Sequence, residues 1–271
     1  MKSHRFSRQS FLGADSDSIF AQARVGLVGL GGGGSHIAQQ LAHLGFLNFV
    51  IYDGDIIEDS NLNRLVGGTE IDVEMKKPKV SIAERVIRGV SSQANIEQIQ
   101  SRWQDNPQPL QTCDIVFGCV DGFLQRWELQ VFSRRFCVPY IDIGLDVHNV
   151  GDEGPQMRGQ VILTVPGGPC MKCIHFVDDE NLSKEGARYG DAGIHPQVVW
   201  ANGVLASTAV GLAVDLLTGW TRKKQALNVI YLSYDGNTGT VVPDRRLQYV
   251  TSGACQHFDA SDVGAPIFQE L

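Results

Sequence analysis

The sequence has no long apolar run. The longest candidate, Val204 to Trp220, is interrupted by Asp215 and diluted by Ala, Ser, Thr and Gly. A membrane span needs about 20 consecutive apolar residues, so this stretch reads as a buried helix. The opening Met1-Lys2-Ser3-His4-Arg5-Phe6 is too polar for a secretory signal, and a cytoplasmic location with no membrane partner is expected. There is no basic excess either. Lys and Arg number 23 against 30 Asp and Glu, for a net charge of -7, and no long basic run occurs, so a nucleic-acid partner is disfavoured. Cysteine is too scarce for a disulfide scaffold, with six in 271 residues. Cys113, Cys119 and Cys137 lie in or beside apolar runs and read as small core residues. No repeat, low-complexity tract or linker interrupts the chain.

What is present is an ordinary globular composition, 43% hydrophobic and 20% charged. Apolar runs alternate with helical patterns through the first half. Arg24–Gly29 reads as a buried strand, Ser35–Leu44 as a helix and Asn48–Asp53 as a second strand. Over Pro78–Val90, apolar residues at 80, 83, 86, 87 and 90 have helical spacing. Strands are expected at Asp114–Cys119 and Val138–Ile143, with a helix from about Phe123 to Phe136 between them. Strands alternating with helices imply a parallel sheet with right-handed crossovers. After Asp146 the pattern changes. A loop at Gly151–Gly154 precedes a strand at Gln160–Val165, and residues 178–197 have little periodic apolar content and read as a mobile loop. A buried helix from about Val198 to Leu217 follows, then a hairpin of Asn228–Tyr234 and Thr238–Val242 around Asp235-Gly236-Asn237.

The chemistry concentrates in residues 25–79 and at 121. Gly29-Leu30-Gly31-Gly32-Gly33-Gly34 falls between a strand and a helix, where bare backbone can approach a phosphate and the helix N-terminus offers unpaired N–H groups. Asp53 ends the next strand, placed to accept hydrogen bonds from a ribose. These two features alone fit NAD, FAD, S-adenosylmethionine or ATP. Asn61, Asn63, Arg64 and Lys79 follow, and Asp121 ends a later strand. One arginine, one lysine and one carboxylate suit a triphosphate with magnesium. The cations would neutralise charge moving toward a leaving pyrophosphate, and Asp121 would hold Mg2+. Taken singly, each of these residues is an ordinary surface charge; only their joint occurrence carries weight. Cys170-x-x-Cys173 is a close pair that points to metal or redox chemistry.

Taken together, Gly29-x-Gly31-Gly32-x-Gly34, Asp53-x-Asp55, Ser60-Asn61-Leu62-Asn63-Arg64, Lys77-Pro78-Lys79-Val80, Val120-Asp121 with Arg126, Met157-Arg158-Gly159-Gln160 and Pro169-Cys170-Met171-Lys172-Cys173 resemble the ThiF/MoeB/HesA family, bacterial relatives of ubiquitin-activating enzymes. The opening Arg5-Phe6-Ser7-Arg8-Gln9 resembles that family's start, and the match runs from about residue 5 to about 235. The resemblance implies an α/β fold, a Rossmann-like mainly parallel sheet extended by antiparallel strands with helices on both faces, usually a homodimer. It implies one ThiF-type adenylation domain over 1–271. About 20–150 would form the nucleotide-binding half, and about 151–271 would hold the zinc half-site, mobile loop and carrier-binding half. The implied reaction is attack by the C-terminal carboxylate of a ubiquitin-like or sulfur-carrier protein, ending in Gly-Gly, on the α-phosphate of ATP. By position, Gly29, Gly31, Gly32 and Gly34 surround the nucleotide and Asp53 with Asp55 lies at its ribose. Asn61, Asn63, Arg64 and Lys79 belong to the phosphate cassette, Asp121 binds magnesium, and Arg8 reaches the active site of the other subunit.

The family commonly completes a zinc site with a second Cys-x-x-Cys. This chain offers Cys255-Gln256-His257 instead, so a structural Zn2+ on Cys170, Cys173, Cys255 and His257 is the expectation. Many relatives carry a cysteine in the loop after the first pair. Residues 174–201 contain none, so the acyl group is expected to leave for an outside nucleophile. His195, Trp200 and Asn202 lie where a substrate could be gripped, or where core and loop roles would suffice. Three other readings stand beside this one. A tRNA threonylcarbamoyladenosine dehydratase-like adenylation lacks a basic docking surface here. An NAD-binding oxidoreductase leaves Asn61, Arg64 and Lys79 without a role. A non-catalytic scaffold is disfavoured by intact Arg64, Lys79 and Asp121.

Overall fold

The computed structural model describes residues 4–151, 154–187, 196–221, 229–250 and 253–264. The chain divides into two compact units, Met1–Phe117 with Val198–Lys224, and Gly118–Gln197 with Gln225–Leu271.

In the first unit a 3-10 helix, His4–Leu12, precedes α1 (Ser16–Gln22), β1 (Arg24–Val28), α2 (Gly32–Leu44), β2 (Asn48–Tyr52), α3 (Glu70–Glu74), α4 (Lys79–Val90), β3 (Asn95–Ile99) and β4 (Ile115–Gly118). The strand order is β3-β2-β1-β4, with β1 parallel to β2 and β2 parallel to β3. Apart from half-buried Arg24 and Asn48, every residue of β1 and β2 is buried, as is all of β4. That burial on both faces is why they read as continuous apolar runs. Edge strand β3, Asn-Ile-Glu-Gln-Ile, is largely exposed.

Helix α2 buries Ile37, Ala38, Leu41 and Ala42 and stops at Gly45, whose φ of 103° closes the helix through bonds to the carbonyls of Ala42 and Leu41. Helix α7 (Val199–Thr218) packs against it with a face of small residues, Ala201, Ala206, Ala209 and Ala213 among them. Among the described residues α7 is the helix long and apolar enough to cross a membrane, and here it packs against α2.

The second unit carries α5 (Phe123–Arg135), β5 (Tyr140–Asn149), β6 (Pro155–Thr164), α6 (Asp179–Ala187), β7 (Val229–Asp235) and β8 (Thr240–Pro243). Its strands run β5-β6-β7-β8, antiparallel throughout. The expected class, a Rossmann-like α/β sheet with antiparallel additions, is what is found. Two expectations are corrected in detail. The strands expected at 138–143 and 160–165 are the buried ends of a ten-residue-per-strand hairpin whose far end is exposed and polar. Part of the expected loop at 178–197 is helical, because Asp178 Oδ1 caps the start of α6 by accepting from Asn181 N at 2.7 Å. His195 lies outside the described residues.

Candidate functional site

The turn from β1 into α2 is built around glycine. Gly29 takes a φ of 88°, a left-handed conformation, while its N–H donates to Tyr52 O at 2.9 Å. At Gly31 a side chain would meet nothing within 4 Å, so this stretch of backbone borders open space. At Gly32 the missing side chain is replaced by Asn202, since a Cβ would fall 2.4 Å from Asn202 Nδ2. Gly34 is buried in the first turn of α2. Asn202 is itself buried and donates from Nδ2 to Val198 O at 3.1 Å. A substrate-gripping role for Asn202 is not what the structure favours, because its amide is a packing element of the glycine turn. Trp200 is 60% exposed.

Asp53 joins β2 to this turn. One carboxylate oxygen accepts from Leu30 N at 2.7 Å and the other from Asp55 N at 2.9 Å. Burial pushes its carboxyl up, and the nearby Lys79 ammonium and these two N–H donors oppose that shift. Lys79 opens α4, with its ammonium 2.7 Å from Asp55 and its side chain 12% exposed. Ser35, which sequence reasoning passed over, ties the glycine turn to Val66, just past the cassette. Its hydroxyl donates to Gly32 O at 2.9 Å and accepts from Val66 N at 3.0 Å.

Within the cassette, Asn61 is buried and its Oδ1 accepts from Glu58 N at 3.1 Å, so that atom shapes the turn itself. Arg64 folds onto the same turn, donating to Ser60 O at 2.5 Å and Asn63 Oδ1 at 3.0 Å. Asn63 is exposed. The first unit thus ties Leu30 of the glycine turn to Asp53, Asp55 and Lys79 by hydrogen bonds, and Ser35 ties Gly32 to Val66, two residues past Arg64 of the Asn61, Asn63 and Arg64 turn. Arg8 lies exposed on the first 3-10 helix. Asp121 belongs to the second unit, in the exposed turn between β4 and α5, with Gln197 Nε2 at 3.4 Å. A solvent-facing carboxylate of this kind is a suitable ligand for a hydrated Mg2+.

Behind that turn lies a buried polar network legible in sequence only as isolated motif letters. Arg126 donates to Asp142 at 2.6 Å and to Ile143 O at 3.1 Å, Tyr140 donates to the same carboxylate at 3.0 Å, and the Gln160 amide accepts from Arg126 at 2.9 Å and donates to Gly144 O at 3.2 Å. Arg126 and Asp142 are respectively 6% and 0% exposed. Cys119 sits beside this network, and burial pushes its thiol well above the ordinary range. Cys113, a buried core residue as expected, is pushed up to about 12 by burial. Cys137 departs from the expected core role, being exposed with a φ of 56° just past α5.

The four expected metal ligands come together. Cys170 and Cys173 Sγ are 3.7 Å apart, as are Cys173 and Cys255 Sγ, and His257 Nδ1 lies 3.6 Å from Cys170 Sγ and 3.3 Å from Cys173 Sγ. All four ligand atoms fall within 4.8 Å of one another. Zn–S near 2.3 Å and Zn–N near 2.0–2.1 Å at tetrahedral angles require ligand atoms roughly 3.5–3.8 Å apart. The four separations of 3.3–3.7 Å lie near that range, and the donor set of three thiols and an imidazole suits zinc once the wider pairs, within 4.8 Å, draw in. A disulfide would require about 2.05 Å. The C-terminal pair is held over α5 by stacking of Phe258 on Trp127, by Arg134 over the Phe258 ring at 4.7 Å, and by Lys172 over Trp127 at 4.9 Å.

Residues 6–255 match the ThiF family. The chain belongs to that family. Among similar ThiF-type proteins is the SAMP-activating enzyme E1 of Haloferax volcanii, 27% identical over 217 residues, which cover 78% of this chain and 76% of that protein. The molybdopterin-synthase adenylyltransferase of Escherichia coli is 25% identical over 234 residues, 84% of this chain and 87% of its own. Solved structures of E. coli MccB share the fold. The one with ATP has a TM-score of 0.70 at 21% identity, covering 90% of this chain and 71% of that one.

Proposed function

We propose that this ThiF-family chain uses ATP to adenylate the C-terminal carboxylate of a small ubiquitin-like or sulfur-carrier protein ending in Gly-Gly, releasing pyrophosphate. The observation that carries the reading is that an open glycine turn is bonded through Asp53 and Asp55 to Lys79, and through Ser35 to Val66, two residues past Arg64. A binding site for a dinucleotide would leave that cassette idle. Relatives named as adenylyltransferases and as an activating E1 give the reaction class.

In the proposed reaction one oxygen of the substrate carboxylate bonds to the α-phosphorus as the bond to the bridging oxygen of pyrophosphate breaks. The carboxylate is already ionised at neutral pH, so no general base is needed. The chain supplies position and charge. Asp53 and Asp55 orient the ribose end, and the α2 N-terminus faces phosphate oxygens. Lys79 leaves Asp55, and Arg64 unfolds from Ser60, to meet charge on the departing pyrophosphate. Mg2+ held by Asp121 would supply further neutralisation of the phosphates. Zn2+ on Cys170, Cys173, Cys255 and His257 would be structural, fixing the C-terminal segment to α5. We further propose a cytoplasmic homodimer in which Arg8 of each subunit serves the other's site, with neither membrane nor nucleic acid as partner. Because residues 174–201 contain no cysteine and the half-buried Cys119 thiol is pushed well above the ordinary range, the acyl group passes from the adenylate to an external nucleophile.

The test is ATP–pyrophosphate exchange with each small Gly-Gly-terminated protein encoded in the same genome. Exchange that depends on one such protein and falls at least a hundredfold in Arg64→Ala supports the reading; exchange unaffected by Arg64→Ala sinks it.

A further inference from the structure

On the second unit, an open pocket of about 650 Å³ is lined by His175, Asp244, Arg245, Arg246 and Tyr249. Two of its three basic residues are committed. Arg246 donates to Asp244 from Nε at 3.0 Å and Nη2 at 3.2 Å, to the Tyr231 hydroxyl, and to His175 O at 3.4 Å. Asp244 is spent in turn on Arg246 and the Ser233 hydroxyl. This pair neutralises itself and forms a fixed floor. His175, held in a left-handed conformation at φ 52°, packs its ring edge-on against Tyr249 with centroids 5.0 Å apart. The remaining cation, Arg245, is exposed, and its side chain makes no hydrogen bond or ion pair among the described residues. Its charge is therefore the one the pocket leaves uncompensated, in a chain whose net charge is -7.

A guanidinium fork beside an exposed tyrosine suits a carboxylate, which it can bind through two parallel N–H···O contacts while the attached methylenes lie on the ring. The pocket opens outward from the short 3-10 helix Arg245–Tyr249 that follows strand β8, at the end of the β5-β6-β7-β8 order. An outward-opening pocket with a locally positive rim on an acidic protein matches a side chain presented by another protein better than an enclosed metabolite. We infer that this pocket is a docking site for an acidic side chain, Glu or Asp, on the protein substrate, with Arg245 its principal ligand and Tyr249 its apolar wall. This rests on the reading that the substrate is a protein.

The probe is N-acetyl-L-glutamate, titrated into the full chain saturated with AMP so that the nucleotide site is filled. The Arg245 Nε–H signal and the Tyr249 ring signals are followed by NMR. Saturable shifts at both residues are expected, with affinity weakened about fivefold or more in Arg245→Gln, the scale of one exposed ion pair. Absence of shifts overturns the site. Inorganic phosphate binding more tightly than acetylglutamate overturns the assignment to a protein side chain in favour of a free oxyanion. In exchange assays with a carrier that supports wild-type turnover, Arg245→Glu should raise the KM for carrier about tenfold and leave the KM for ATP unchanged; an unchanged carrier KM contradicts the inference. If no carrier supports exchange in the wild type, the adenylation reading falls while the NMR titration still decides the pocket.

Discussion

Replacing Gly32 with alanine puts one methyl group 2.4 Å from Asn202 Nδ2, 2.8 Å from its Cγ and 3.2 Å from its Oδ1. Ordinary contacts between such atoms begin near 3.5 Å, so one side must give by about 1 Å. Gly32 begins α2, where alanine would otherwise help by up to about 1 kcal/mol. Overpacking of this size costs about 1–3 kcal/mol, so Gly32→Ala should be destabilised by about 1–2 kcal/mol. Asn202→Ala removes all three opposing atoms at the loss of the bond to Val198 O, worth about 1 kcal/mol. The double variant should therefore be no less stable than Asn202→Ala alone, with a coupling of about 1–3 kcal/mol in a double-mutant cycle. Urea unfolding of the four proteins measures that term. ATP binding by calorimetry should follow it, weakened in Gly32→Ala and recovered in the double variant, because the turn bordering the nucleotide is what must move. Stability effects that add within about 0.5 kcal/mol would refute a direct contact between Gly32 and Asn202 as the reason for glycine here.

The zinc set predicts about one equivalent of zinc per purified chain, read by elemental analysis, and a clear loss on Cys255→Ser with His257→Ala; full zinc content in that double variant would remove the C-terminal half of the site. Asp72, 3% exposed, is held well below the usual carboxylate range by Arg85 at 2.6 and 2.7 Å and by Thr69. A depressed folded-state value means stability that is present above the unfolded carboxylate range near 4 and lost as pH falls through the folded value. Asp72→Asn should therefore cost about 1–2 kcal/mol at pH 7, a range discounted because Arg85 is half exposed. That gap should close below about pH 4; a gap unchanged at pH 3 would contradict the assignment. Under native conditions iodoacetamide should spare Cys119 and label exposed Cys137, as read by peptide mass spectrometry; a carrier thioester trapped on Cys119 would overturn direct transfer to an outside nucleophile.

The parts of the fold that sequence shows best are those where local pattern and tertiary burial agree. Buried β1, β2 and β4 appear as apolar runs, α4 as a periodic one and α7 as an apolar stretch rich in small residues. Edge strand β3 goes unseen because Glu97 and Gln98 face solvent, and with only one sheet neighbour it need not be apolar. The nucleotide cluster is legible because its residues lie within a short span of chain. Asn202 against Gly32 and Asp142 beneath Arg126 are invisible, since the pairing is made by helices and strands meeting in space rather than by a local pattern. Cys255 and His257 stand more than 80 residues from their partners. They were readable as ligands only through family resemblance, and the packing of Phe258 on Trp127 is what brings them in.

The central claim is that this ThiF-family chain activates a carboxylate with ATP. Carrier-dependent exchange of labelled pyrophosphate into ATP measures it most directly. Exchange should appear with one Gly-Gly-terminated protein and vanish when that protein's terminal glycine is removed. It should fall at least a hundredfold in both Arg64→Ala and Lys79→Ala. No exchange with any candidate carrier, or exchange that survives loss of both cations, would contradict the account.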